Sequence, residues 1–213
     1  MDLMIPLLQN IDHKTEMENI SSILDGVSRH QIQQSAWTLT SSIPKVSFCI
    51  AHANNCILLK YFVNEPAIRI VHYTDNSPVH EDSCVEFFLA FNNDEEHYNL
   101  EFNCAGTCLM GFGKNSSDRK LINEALVHNI RRFTRIIRTE DSRRAINWEL
   151  TLMIPLSVFA FHKIDELTNR QGRVNFFKCG DKLPEPHFLS WKNIESANPD
   201  FHLPQFFGSV HFQ

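Results

Sequence analysis

The sequence predicts a mainly β fold: a two-sheet antiparallel β-sandwich with an N-terminal helix and a short helical insertion. Three observations carry this. About ten short apolar runs follow one another along the chain, separated by clusters of Gly, Pro, Asn, Asp and Ser. No strand–helix–strand rhythm and no internal repeat interrupts them. In residues 97–104 the alternation is clean: Tyr98, Leu100, Phe102 and Cys104 point one way, His97, Asn99, Glu101 and Asn103 the other.

Composition narrows the function classes. The chain has 213 residues, 43% of them hydrophobic, which is enough for one large domain with a core of its own. Its net charge of −5 argues against a nucleic-acid partner. No run approaches the ~20 apolar residues a membrane helix needs, so no membrane partner is expected. Met1–Leu8 lacks the basic start of a secretory signal, and its apolar run is broken at Pro6. If Met1 is the native start, a cytoplasmic location is expected. The six cysteines sit mostly in apolar runs and are expected to be free and buried. Cys104 and Cys108 stand four apart with no second pair at zinc-site spacing, so no metal and no catalytic residue is assigned from spacing.

In chain order, Met17, Ile20, Ile23, Leu24 and Val27 recur at three- and four-residue spacing. That predicts an amphipathic helix within 15–32, part of an N-terminal extension (1–34) packed on a domain spanning 35–213. Residues 37–44 read as a linker. Strands are expected at 46–52 and 56–63 around the turn Ala53-Asn54-Asn55, at 67–73, at 84–91 and 97–103 as a hairpin, and at 107–113. Ser117-Asp118 predicts the cap of a helical insertion through Leu121, Ile122, Ala125, Leu126 and Ile130. Strand character returns at 131–139 and 145–154, a helical turn follows Pro155, and strands close the chain at 172–179, 188–191 and 207–212. Six arginines between Arg131 and Arg144 read as a solvated or acid-paired face, with an anion site as the alternative.

The chemistry gathers on the hairpin. Glu86 lies between Cys84 and Phe88, and alternation puts Glu101 and Asn103 on one face of the next strand. A carboxylate in so apolar a run faces water or is held by a partner. The bland reading pairs Glu86 with Lys60 or Arg69, leaves His80 as a loop histidine and packs Trp191 into the core. The functional reading is a ring-and-hydroxyl site. Trp191, Tyr73 and His80 can supply flat ring faces, while Arg69, Glu81, Glu86, Glu101 and Asn103 can supply hydrogen bonds. Paired carboxylates at Glu86 and Glu101 also suit glycoside hydrolysis. A haem held by Met110 and His72 is a further alternative, without spacing to support it.

His80-Glu81-Asp82-Ser83-Cys84-Val85-Glu86-Phe87-Phe88 resembles the aromatic-x-Asp-Ser-x-Val-Glu segment of carbohydrate-binding module family 9. Asn147-Trp148-Glu149-Leu150 running into Ile154-Pro155 is similar to that family's Trp-Glu strand and Ile-Pro turn. Leu59–Glu65, Glu101-Phe102-Asn103 and Pro199-Asp200-Phe201-His202 through Phe207-Gly208 resemble standalone proteins of this kind. The resemblance covers roughly 35–213. It implies an immunoglobulin-like, DOMON-like sandwich that binds carbohydrate, gripping a glucose unit between two tryptophans. Glu86 matches a hydroxyl-binding Glu, His80 stands where one stacking Trp does, and Trp191 is the candidate for the other. The family also carries structural calcium, for which no Asp-rich loop is visible here. A protein-interaction module with a vestigial sugar site stays open beside these readings.

Overall fold

Two sheets close over a core rich in phenylalanine. The computed structural model describes residues 2–35, 37, 43–137 and 145–213. Along the chain come β1 (Leu3–Ile5), α1 (Met17–Leu24), β2 (His30–Ile32), β3 (Lys45–Ala53), β4 (Cys56–Glu65), β5 (Cys84–Phe91), β6 (His97–Asn103) and β7 (Cys108–Gly113). Then follow β8 (Lys120–Leu121), α2 (Glu124–Val127), β9 (Arg131–Ile137), β10 (Ile146–Pro155), β11 (Gln171–Cys179), β12 (Phe188–Ser190) and β13 (Gly208–Phe212). The larger sheet has eight strands in the order β1-β13-β11-β5-β6-β7-β8, with β12 also on β11; the smaller has five, β2-β3-β4-β10-β9. Every pairing is antiparallel except β1 with β13.

Alternation decides which side chains meet inside. Val85, Phe87 and Leu89 from β5 and Tyr98, Leu100 and Phe102 from β6 face Leu59, Tyr61, Leu150 and Leu152 of the smaller sheet, all fully buried. Phe176 stacks on Phe48 across the sandwich at 3.7 Å between ring centres and on Phe87 at 5.2 Å. Tyr61 donates its hydroxyl to the Glu86 carbonyl at 2.7 Å, tying β5 to the opposite sheet. All six cysteines are free and buried.

Several elements differ from the sequence expectation, each for a local reason. The first helix stops at Leu24 instead of running toward Ile32, because β2 joins the edge of β3. Its buried stripe is Met17, Ile20 and Leu24 on Ala51, Leu58 and Met153, while Ile23 is exposed. Asp25, just past the helix, bonds Lys60 at 2.6 Å. Residues 67–73 form no strand. Asp82 takes the amides of Val71 and His72, and Ser83 Oγ takes that of Arg69, so side chains replace a ladder there. The insertion helix is a single turn capped by Asn123, whose side chain accepts from Ala125 N; Asp118 instead binds the amides of Lys114 and Asn115. Arg132 is acid-paired, gripping Asp75 at 2.7 and 2.9 Å. Arg138, Arg143, Arg144 and most of the 37–44 linker lie outside the described residues. Met110 is buried in the core, and His72 bonds Glu81 from a loop.

One polar cluster crosses the core. Lys178 points inward from β11 and sits 3.0 Å from Glu65 of β4, with His187 at 2.9 Å; Trp148 Nε1 donates to Glu65 at 2.7 Å. Lys178 can only donate, so His187 accepts through Nε2 and is neutral. Burial and the Lys178 charge hold it down to about 3. Lys178→Met should cost about 3–5 kcal/mol in chemical denaturation, because it leaves the buried Glu65 without its counter-charge. Lys178→Met with Glu65→Gln should recover most of that loss.

Candidate binding cleft on the outer face of the larger sheet

The register puts two carboxylates face to face. Glu86 of β5 lies directly opposite Glu101 of β6, and on its other side opposite Phe177 of β11. All three point away from the core. An outer sheet face normally meets water, yet both glutamates are only 3% exposed. The cover comes from far along the chain: Phe201, Leu203, Phe206 and Phe207 pack on Phe88 and Phe177, with Phe201 stacked on Phe177 at 4.1 Å. The cover stops short of the glutamates and leaves a cleft of about 420 Å³. Glu86, Glu101 and Cys179 form its floor, His80 and Asp181 one wall, Arg119 and His202 another, and Phe188 and Phe201 offer ring surface.

Glu101 is organised as the charged member. Its Oε1 accepts from Arg119 at 2.8 Å and from Asn99 at 2.9 Å, and its Oε2 lies 3.5 Å from His80 Nδ1. That last contact is at the outer limit of a hydrogen bond, and Oε2 has no well-formed partner. Burial pushes the Glu101 pKa up, but His80 and the Arg119 charge outweigh it and hold the group below the usual carboxylate range. Arg119 reaches it because β7 has no side chains in the way. A Cβ on Gly111 would stand 2.7 Å from Asn99 Oδ1 and 3.3 Å from Arg119 Cδ, and one on Gly113 would stand 2.7 Å from the Arg119 backbone. Arg119 also donates to His202 Nε2 at 3.3 Å, so His202 carries its proton on Nδ1, which lies 3.1 Å from His97 Nε2. Burial keeps both imidazoles neutral, at about 3 for His202 and about 4 for His97.

Glu86 is the neutral member. Burial, then the neighbouring Glu101 charge, raises it to about 8, and the Cys179 thiol donates to its Oε1 at 3.0 Å. His80 is raised, first by its contact with Glu101; Asp181 is raised by burial. The floor thus pairs a carboxylic acid with a carboxylate, two groups with different hydrogen-bonding capacities.

Of the residues proposed from sequence, His80, Glu86 and Glu101 meet in this cleft and five lie elsewhere. Asn103 binds His72 O and Asp82 and accepts the amides of Ala105 and Thr107, which holds a turn together. Arg69 is spent on Asp82, and Glu81 on His72 and Lys182. Tyr73 is 75% exposed and bonds Ile70 O. Trp191 packs edge-on against Phe48 and Phe176 and occupies the space a Cβ on Gly208 would take. The expected pairing of Glu86 with Lys60 or Arg69 is also wrong: Lys60 lies on the other sheet with Asp25 and Glu149. Arg119, Asp181, Phe188, Phe201 and His202 also line the cleft and are not among the residues proposed from sequence. The usable signal was the Gly111-x-Gly113 pair in β7, which marks a close approach on that face.

The comparisons agree with this architecture. A model of carbohydrate-binding family 9 matches residues 18–212. The chain belongs to carbohydrate-binding family 9. A crystal structure of a candidate carbohydrate-binding protein from Bacteroides uniformis ATCC 8492 is 35% identical over 100% of this chain and 99% of that one, with a TM-score of 0.90. A family 9 module from Caldicellulosiruptor kristjanssonii, solved with glucose and with cellotriose, shares the fold at 13% identity and a TM-score of 0.60. It covers 100% of this chain, and 96% and 94% of those chains. No curated protein matched the sequence.

The titrations of this family 9 domain oppose one another. His187, His202 and His97 are depressed, so their contribution is complete above about pH 6.5 and drains away as pH falls toward their folded values. Glu86 and His80 are raised; their contributions are lost as pH rises, for Glu86 from about 4.5 to about 8. Three histidines outweigh Glu86 on the acid side, and alone above neutrality Glu86 and His80 tip the balance the other way. The melting temperature should peak at about pH 6–7. Glu86→Gln, which mimics the protonated acid, should hold or raise the peak and flatten the fall toward pH 8.

Proposed function

We propose that this chain is a non-catalytic carbohydrate-binding domain that holds a sugar ring or glycan end in the cleft above Glu86 and Glu101. The observation that carries the reading is Glu101 Oε2: a buried carboxylate oxygen, fixed by Arg119 and Asn99 through its sister oxygen, left without a well-formed hydrogen bond on the cleft floor. Such an atom is costly unless something fills it, and a hydroxyl does so with the right geometry. His80, Arg119 and Asp181 add donors and acceptors at hydroxyl reach, and Phe188 and Phe201 offer ring surface to the CH face of a pyranose. Family membership and the sugars held by the C. kristjanssonii module support the ligand class.

A second reading rests on the opposed Glu86 and Glu101, one acid and one carboxylate, as a glycosidase would use. Against it, both rise from one flat floor on adjacent strands, whereas hydrolysis places its carboxyls on either side of the scissile bond.

Calorimetry with glucose, cello-oligosaccharides and a panel of other mono- and disaccharides tests the proposal. At least one should bind, and Glu101→Gln should weaken it by about 1–3 kcal/mol. Phe201→Ala should also weaken it, while Trp191→Ala should lower the melting temperature and leave affinity unchanged. Binding by none of the panel, or affinity untouched by Glu101→Gln, contradicts the reading. Turnover of aryl glycosides that is lost in both Glu86→Gln and Glu101→Gln would favour the hydrolase.

A further inference from the structure

Beneath the cleft, three potential ligands converge on one point. Cys84 of β5 stands directly opposite Cys179 of β11, and Glu86 follows two residues after Cys84 on the same face. The two sulfurs and a Glu86 oxygen all lie within 4.8 Å of one another, the only such trio of His, Cys, Asp or Glu among the described residues. Their partners are chiefly each other: Cys179 Sγ donates to Glu86 Oε1 at 3.0 Å, and the longer contacts go to the Val85 and His80 carbonyls at 3.7 Å. Two of the three, Glu86 and Cys179, line the floor of the cleft, which gives an ion a path in.

We propose that Cys84, Cys179 and Glu86 form a binding site for a thiophilic divalent cation such as Zn²⁺, with the fourth position open to the cleft. Tetrahedral bonds of about 2.3 Å to sulfur and about 2.0 Å to oxygen place ligand atoms roughly 3.3–3.8 Å apart. The trio, with its ligand atoms already within 4.8 Å of one another, stands close to that spacing. Two thiolates and one carboxylate select zinc-like ions over calcium or magnesium, which prefer oxygen alone. On binding, the ion displaces the two thiol protons and the Glu86 proton to solvent, and the site becomes a monoanion. Arg119 and His80, both on the cleft wall, answer that charge. The fourth position then takes water or a ligand hydroxyl.

The test uses reduced, chelator-treated full chain and Co²⁺ as the optical probe. One equivalent of Co²⁺ should give sulfur-to-cobalt charge-transfer absorption with the visible bands of a tetrahedral site, and Zn²⁺ should abolish both. Cys84→Ser and Cys179→Ser should each remove most of the charge-transfer band, while Cys56→Ser keeps it. Glu86→Gln, the mildest change, covers the case in which a serine variant fails to fold. It should weaken Zn²⁺ binding by on the order of tenfold or more. No stoichiometric charge-transfer band in the wild type, or a band that survives all three site substitutions, overturns the proposal. Sugar calorimetry on the metal-free chain is a separate readout, so either proposal can fail alone.

Discussion

Two carboxylates held opposite each other under cover cannot both be charged, and the outer face of the larger sheet is built around that constraint. Like charges about 5 Å apart repel by roughly 3 kcal/mol at an effective dielectric of about 20. Desolvation adds to the cost. That is enough to keep a proton on one of the pair at neutral pH, and the surroundings decide which. Arg119, Asn99 and His80 all face Glu101, whereas Glu86 receives only a thiol. The bare Gly111 and Gly113 and the 201–207 cover flank the pair, one admitting Arg119 and the other closing the face beside it over Phe88 and Phe177.

The sandwich beneath gives this pair a rigid base. Phe48, Phe176 and Phe87 stack through the core under β5. Tyr61 fixes the backbone carbonyl of Glu86 itself, and Lys178 with Glu65 locks β11 to the smaller sheet one residue from Cys179. Asp82, itself fully buried, gathers the amides of 71–72, the Arg69 guanidinium and Asn103 into one knot. That knot positions the 79–81 turn and so His80. Arg69 and Asn103, candidates for ligand binding from the sequence, bond within this knot and do not line the cleft.

How much was legible follows from the range of each signal. Period-two alternation is local, so the faces of β5 and β6 could be read directly, and the short hairpin loop implied that Glu86 and Glu101 share a face. His80 came with its resemblance to family 9. Arg119 sits in an irregular loop and acts by reaching across two glycines, which no pattern on its own segment reveals. Phe201 and His202 arrive about a hundred residues after Glu101, and only the fold brings them over β5 and β6. Asn103 and Trp191 lie outside the cleft for a shared reason. An outward amide and a late tryptophan are each as useful to a turn or a core edge as to a ligand, and composition cannot choose between them. The extended 67–73 run misled because Asp82, eleven residues beyond Val71, satisfies its amides where a neighbouring strand would have.

The central claim is that Glu86 is a neutral acid beside an ionised Glu101. Carbon-detected NMR of chelator-treated protein labelled at glutamate side-chain carboxyls follows each group through a pH titration. The structure predicts one glutamate still protonated at pH 7, titrating at about 8 and absent from the spectrum of Glu86→Gln, with a second held below the ordinary glutamate range. Every glutamate titrating close to its free value of about 4.3 would contradict the account.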